Sequence, residues 1–331
     1  MRNLLVTIQT GARLHFGPLS YQPQSGRHFG GIGLMIDRPG VKITLSPCRN
    51  ATPARCSSDR ATRLDAAIQS RLPWKPEPVQ LTVHHEIPSH CGLGSGTQLA
   101  LALADARATL QGDDFSVEQL ASFTGRGERS AIGLRGYELG GFLVDAGRRS
   151  ESDVGALAVQ VPFPSAWRIL LVREREGQGL HGEFEVNAFQ DLAPMTPEVS
   201  GQLCRLALTE ILPALQTGDL TAFNAALYSY GELVGSFFAG PQKGIFSSSV
   251  IRELARQLPV RELGMAQSSW GPTVALFVPH DQAAHALAHD IETGPLGKKL
   301  RIDVVRARNE GRTVTQTEFS PETIPEESTD R

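Results

Sequence analysis

The run Pro88-Ser89-His90-Cys91-Gly92-Leu93-Gly94-Ser95-Gly96-Thr97-Gln98 constrains this chain more than any other segment. Its alternating glycines let the backbone approach a ligand, and Gln98 to Leu110 follows as a run rich in Ala and Leu with no Gly or Pro. A glycine loop that opens a helix aims successive N–H groups at one point, backed by the positive end of the helix dipole, and its natural guest is a phosphate. The loop lacks the Gly-Lys-Ser/Thr ending of a Walker loop and the spacing of a dinucleotide fingerprint. As local structure alone it also reads as a tight strand-to-helix turn.

The rest of the chain sets that loop in a mixed fold. Length matters first: 331 residues suit about two domains at roughly 150 residues each and need no disulfide or metal staple. Hydrophobic residues make up 40% and charged residues 20%, and 32 Lys+Arg against 35 Asp+Glu give a net charge of −3. These values exclude collagen-like, coiled-coil and wholly disordered chains, and they disfavour broad nucleic-acid or anionic-membrane binding. Cys48, Cys56, Cys91 and Cys204 are scattered without metal-binding spacing and are expected to be free thiols. The N-terminus turns polar too early for a signal peptide, and no apolar run approaches the ~18 residues of a membrane span, so a soluble cytoplasmic protein is expected.

Before the loop the pattern is strand-rich. Leu4–Gln9, a glycine break, Ala12–Phe16, Gly30–Ile36, a turn at Arg38-Pro39-Gly40, Val41–Leu45 and Val79–Ile87 all carry β-type alternation or β-branched runs. After it come a helix capped by Ser116, strands at 141–145, 158–161 and 167–172, helices from Thr196 to Phe238, a strand at 273–278, a helix at 281–293 and a strand at 300–305. The division expected is a strand-rich first domain over 1–165 and an α/β domain over 166–312, with a disordered tail over 313–331.

Three further segments carry chemistry. Thr124-Gly125-Arg126-Gly127-Glu128-Arg129-Ser130 sets Arg126 and Arg129 beside glycines, where guanidinium forks fit phosphate or carboxylate; Glu128 can orient one fork or hold a metal, and a solvated loop is the bland alternative. Arg13 and His15 share one face of a strand, an anion contact beside a proton carrier, with Arg27 among glycines nearby; each also reads as an edge-strand surface residue. Gln267-Ser268-Ser269-Trp270-Gly271-Pro272 forms either a ligand wall or a packed turn. The helical pair His285/His289 lacks an intervening H-E-x-x-H glutamate and reads as a solvated face.

Taken together, these segments resemble the GHMP kinase superfamily, and within it the β-ribofuranosylaminobenzene 5′-phosphate synthase family of methanopterin biosynthesis. The resemblance rests on Ala12-Arg13-Leu14-His15-Phe16-Gly17, Gly26-Arg27, Gly30-Gly31-Ile32-Gly33, Gly92–Gln98, Gly125–Ser130, Glu138-Leu139-Gly140-Gly141-Phe142 and Gln267–Pro272, in order along nearly the whole chain. It implies an α+β, GHMP kinase-like fold of two domains with the site between them. Two departures separate the chain from the kinases. Their loop continues as Gly-Ser-Ser-Ala, whereas Gly96-Thr97 follow Ser95 here; and their Ser-Gly-Ile-Asp segment, whose Asp serves near the phosphoryl acceptor, appears as Ser130-Ala131-Ile132-Gly133.

For the synthase, the resemblance implies condensation of 5-phosphoribosyl 1-diphosphate with 4-hydroxybenzoate or 4-aminobenzoate, releasing diphosphate and CO2. On that reading Gly92, Leu93, Gly94, Ser95, Gly96 and Thr97 hold the diphosphate, and Arg27 and Arg13 hold the arene carboxylate. His15 orients the ring substituent or handles its proton, and Arg126 and Arg129 grip phosphate. Ser268, Ser269, Trp270 and Gly271 line the sugar or aryl pocket. Mg2+ is the expected cofactor, with Ser95 and Glu128 as its candidate contacts, and a homodimer is the expected assembly. The competing expectations are an ATP-dependent small-molecule kinase of the same superfamily and a phosphometabolite sensor without turnover.

Overall fold

The structure is a computed structural model that describes residues 4–48, 58–75, 77–127, 129–151, 153–175 and 192–318. Its first lobe is an antiparallel sheet of β1 (Leu4–His15), β2 (Gly31–Pro47), β3 (Val79–His85), β4 (Phe142–Asp145), β5 (Leu157–Val161) and β10 (Thr313–Glu318). The order is β10-β1-β2-β4-β5, with β3 on the far half of β2. The expected glycine break and the expected Arg38-Pro39-Gly40 turn prove to be one irregularity inside two continuous strands. Thr10 lies opposite Val41 but Ala12 opposite Ile36, so residues 37–40 bulge around Gly11, where a Cβ would stand 2.0 Å from the Ile36 carbonyl oxygen.

The sheet is covered by α1 (Asp59–Gln69), α2 (Ser95–Gln111), α3 (Val117–Thr124) and α4 (Ile132–Leu139). Every residue from Gln98 to Ala108 is buried, because α2 lies between the sheet and its neighbouring helices, which explains a run of Ala and Leu without a polar face. Ser116 and Gln119 close a capping box at the start of α3, as the sequence suggested.

The second lobe has an antiparallel sheet in the order β7 (Ala266–Gln267), β8 (Val274–Val278), β6 (Arg168–Glu174), β9 (Leu300–Val305). Around it lie α5 (Pro197–Arg205), a π turn (Leu206–Ile211), α6 (Leu212–Thr217), α7 (Leu220–Phe237), α8 (Ala239–Gln242), α9 (Ser249–Gln257) and α10 (Asp281–Thr293). The lobes share one apolar core: Phe223 meets Phe163 at 5.5 Å and Phe277 at 5.2 Å between ring centroids, and Phe277 in turn meets Phe16 of β1 at 6.2 Å.

The expected tail is corrected. After Val305 the chain returns to the first lobe: Asp37 N–H donates to the Arg306 carbonyl, Arg308 N–H to that of Met35 and Arg312 N–H to that of Tyr137. Residues 313–318 then pair with β1, from Gln9 opposite Thr313 to Leu4 opposite Glu318. All six of its residues are exposed, so the strand carries no apolar alternation. Residues 319–331 and Cys56 lie outside the described residues; Cys48, Cys91 and Cys204 are free thiols. Among the described residues no helix is long and apolar enough to cross a membrane.

Candidate active site

The glycine loop lands at the seam of the lobes. Gly94 caps α2 in the left-handed conformation (φ 73°) with no side-chain cap, and its carbonyl receives the Thr97 and Gln98 N–H groups. Backbone meets backbone across the seam: a Cβ on Gly271 would stand 2.4 Å from Gly92 Cα, so only glycine lets the 268–271 turn close on the loop. The turn is also tied to β1, since Ser269 N–H donates to the His15 carbonyl at 2.6 Å and His15 N–H donates to Ser268 Oγ at 3.1 Å.

Three guanidinium groups surround the start of α2. Arg13 packs across Gly94, where an added Cβ would stand 2.6 Å from its Cγ, and donates to the Gly92 carbonyl and Ser269 Oγ at 3.1 Å each. Arg126 lies over Gly96, with Nη2 3.4 Å from where a Cβ would be. Arg60, which no sequence motif marks, reaches from α1 to Ser89 Oγ at 2.9 Å and Ser95 Oγ at 3.0 Å, with Glu86 3.7 Å away. These charges and the helix dipole converge on one small region, the arrangement that a polyphosphate requires.

Behind Arg13 lies a buried polar chain. The His15 imidazole accepts from Gly17 N–H at Nδ1 (3.2 Å), which puts its proton on Nε2, and Nε2 donates to Ser130 Oγ at 3.0 Å. Burial, and then the Arg13 charge, push the His15 pKa down to about 3, so the ring is neutral. Ser130 Oγ sits 3.4 Å from Oδ2 of Asp145, a buried carboxyl whose pKa burial pushes up. Asp145 had no distinguishing mark in the sequence, where it ends an apolar strand.

The other expected site residues are placed as follows. Arg27 donates to the Gly147 carbonyl at 2.9 Å, one turn beyond Asp145. Arg129 is exposed, and its charge reaches the Tyr21 hydroxyl. Ser268 is fully buried, and its hydroxyl donates to the Gly92 carbonyl at 2.8 Å, so it braces the loop from behind. Trp270 is buried edge-on against Phe238 at 4.9 Å. Gly133 faces the loop: a Cβ there would stand 3.2 Å from Thr97 Cγ2 and 3.8 Å from Arg13 Nε.

Among the described residues no three His, Cys, Asp or Glu side chains converge on a metal position, and Ser95 Oγ accepts from the Arg60 cation. Glu128 lies outside the described residues.

Comparison with known proteins agrees with this architecture. Residues 60–141 match the GHMP kinases N terminal domain and residues 211–294 the GHMP kinases C terminal domain. The chain is 29% identical over 288 residues to the beta-ribofuranosylphenol 5'-phosphate synthase of Methanothermobacter thermautotrophicus, covering 81% of this chain and 87% of that one. It is 27% identical over 334 residues to the synthase of the same name from Archaeoglobus fulgidus, covering 93% and 98%. Among solved structures, a homoserine kinase from Cytophaga hutchinsonii has a TM-score of 0.62 at 15% identity, covering 95% of this chain and 98% of that one. A mevalonate pyrophosphate decarboxylase from Streptococcus pyogenes has a TM-score of 0.66 at 14% identity, covering 93% and 98%. With both domains matched in order and relatives aligned over most of their length, the chain belongs to the GHMP kinase superfamily, on the branch of the β-ribofuranosylphenol 5′-phosphate synthases.

Proposed function

We propose that this enzyme condenses 5-phosphoribosyl 1-diphosphate, taken as its magnesium complex, with 4-hydroxybenzoate or 4-aminobenzoate, releasing diphosphate and CO2, in the cytoplasmic synthesis of a methanopterin-type cofactor. The observation that carries the reading is the site at the start of α2: an anion cradle ringed by Arg13, Arg60 and Arg126, facing Gly133 where the kinases bear a carboxylate. A site that needs no base for a phosphoryl acceptor but has ample positive charge suits a diphosphate leaving group better than it suits phosphoryl transfer.

The residues divide the work. As the anomeric C–O bond breaks, its electron pair leaves with the diphosphate, and the α2 N–H groups with Arg13 and Arg126 stabilise the growing negative charge. The ring carbon that bears the carboxylate attacks the anomeric carbon, and CO2 then departs, its bonding pair returning to the ring to restore aromaticity. Arg27 holds the arene carboxylate loosely enough to let it go, Arg129 meets the 5-phosphate, and neutral His15 orients the site around Arg13 without adding charge. A homodimer is the assembly proposed.

The test is to supply purified protein with Mg2+, 5-phosphoribosyl 1-diphosphate and carboxyl-labelled 4-hydroxybenzoate or 4-aminobenzoate, then to compare released CO2 with released diphosphate. Equal, enzyme-dependent release of both supports the reading and identifies the arene. Release of neither, with ATP consumed only when an alcohol is added, returns the protein to the kinases.

A further inference from the structure

Asp145, which no sequence motif marks, is joined to two segments of the site at once. Its Oδ2 accepts the Ala131 N–H at 2.6 Å and lies 3.4 Å from Ser130 Oγ, while its Oδ1 accepts the Gly147 N–H at 2.8 Å. Ser130 Oγ also accepts from the Ile132 N–H at 3.1 Å and from His15 Nε2, so its own proton points to Asp145. On the other side, the Gly147 carbonyl accepts from Arg27, and His28 and Arg148 exchange backbone hydrogen bonds at 2.8 and 3.0 Å. Space for the carboxylate is kept by Gly155, where a Cβ would stand 2.4 Å from Oδ1.

We propose that Asp145 is a positioning residue of the reaction, the common anchor that fixes Ser130 and Ala131 at the start of α4, the turn that holds Arg27, and the His15 ring relative to one another. The inference rests on the reading above for what Arg27 grips; the wiring itself is independent of that reading. A carboxylate suits the position because it is acceptor-only and three donors converge on it: two backbone N–H groups and one hydroxyl. The sheet thus supplies, from the end of β4, an anion that works behind the substrate-facing groups, whereas the superfamily's own carboxylate position is Gly133. The α2 loop is braced separately, by Ser268, Ser269 and Arg60, and does not hang on Asp145.

That separation makes the test specific. In Asp145→Asn the amide NH2 must face a backbone N–H or the Ser130 hydroxyl, so the expected result is a kcat lowered about 100-fold and a benzoate KM raised about tenfold, the size of effect that misplacement by about 1 Å produces. Binding of inorganic diphosphate, measured by calorimetry without turnover, is expected to stay within about twofold of the parent. Ser130→Ala removes the hydroxyl that joins His15 to Asp145, and with it the Ile132 N–H contact, but keeps both backbone donors on Asp145: the expected outcome is an altered 15N tautomer signature of His15 and a kcat lowered about tenfold, with Ser130→Thr restoring both. Folded Asp145→Asn protein with parental kcat and benzoate KM would overturn the proposal. So would parallel loss of benzoate and diphosphate binding, which marks a general structural role, and so would an unchanged His15 signature in Ser130→Ala. If the parent protein itself releases no CO2, the reaction assigned above falls, while the tautomer and diphosphate measurements still decide the wiring.

Discussion

The two ends of α2 use the same residue types to opposite purposes. At its C-terminal half Arg107 forms a buried fork with Asp65, at 2.5 and 2.6 Å, and Asp105 accepts from the Tyr137 hydroxyl at 2.7 Å and from Arg312 at 3.0 Å. Each of these arginines meets a carboxylate, and the pairs join α1, α2, α4 and the returning 306–312 segment. At its N-terminal end the bonds drawn from Arg13 go to a carbonyl and a hydroxyl, and those drawn from Arg60 go to two hydroxyls. One end of the helix is cemented by buried charge pairs, and at the other these bonds to carbonyl and hydroxyl oxygens orient the guanidinium groups beside the loop, with Glu86 3.7 Å from Arg60.

The sharpest way to break the comparison is to remove one arginine from each end. Arg107→Ala leaves the Asp65 carboxylate buried without its partner and is expected to cost about 3–5 kcal/mol in urea unfolding, with kcat/KM of the folded fraction unchanged. Arg126→Ala is expected to do the reverse: kcat/KM falls about 100-fold, ~2.7 kcal/mol, and the urea midpoint stays where it was. If Arg126→Ala unfolds the protein and Arg107→Ala inactivates it, the two ends have been misassigned.

Smaller effects sharpen the contrast. The folded-state pKa of His15 lies near 3, below its ordinary value of 6.5. Between those values the unfolded chain binds a proton that the folded chain refuses, so the contribution is fully present above about pH 6.5 and is lost as pH falls toward 3, at up to about 1.4 kcal/mol per pH unit. Urea midpoints measured across that window are expected to fall with acid in the parent and to flatten by this amount in His15→Gln. The smallest effect belongs to Arg60→Gln, where a half-buried cation loses two hydroxyl contacts and a carboxylate 3.7 Å away. Stability is expected to move by less than about 1 kcal/mol, and calorimetry is expected to show diphosphate binding weakened about threefold, ~0.7 kcal/mol.

What the sequence revealed follows the range of the interactions involved. The glycine loop and α2 were legible because both signals are local: glycines where φ turns positive, then an uninterrupted run of helix formers. The capped start of α3 and the strand–helix–strand ending of the second lobe were legible for the same reason. The helix α4 was not, since Gly133 and Gly136 weaken its propensity and its reason for existing is tertiary: Gly136 makes room for Met35 Sδ, 2.4 Å from where a Cβ would be. Arg60 and Asp145 were hidden likewise. An arginine at the start of an ordinary helix and an aspartate at the end of an apolar strand show their purpose only when Ser95 and Ser130 arrive from elsewhere in the chain.

Strand β10 bears on how the molecule is made. The outer neighbour of β1 is supplied by residues 313–318, so the sheet that opens the chain receives its sixth strand only after the whole second lobe has been synthesised. Until then β1 presents an unsatisfied row of backbone donors and acceptors on that side. The ribosome therefore delivers the first sheet unfinished, and residues 313–318 complete it.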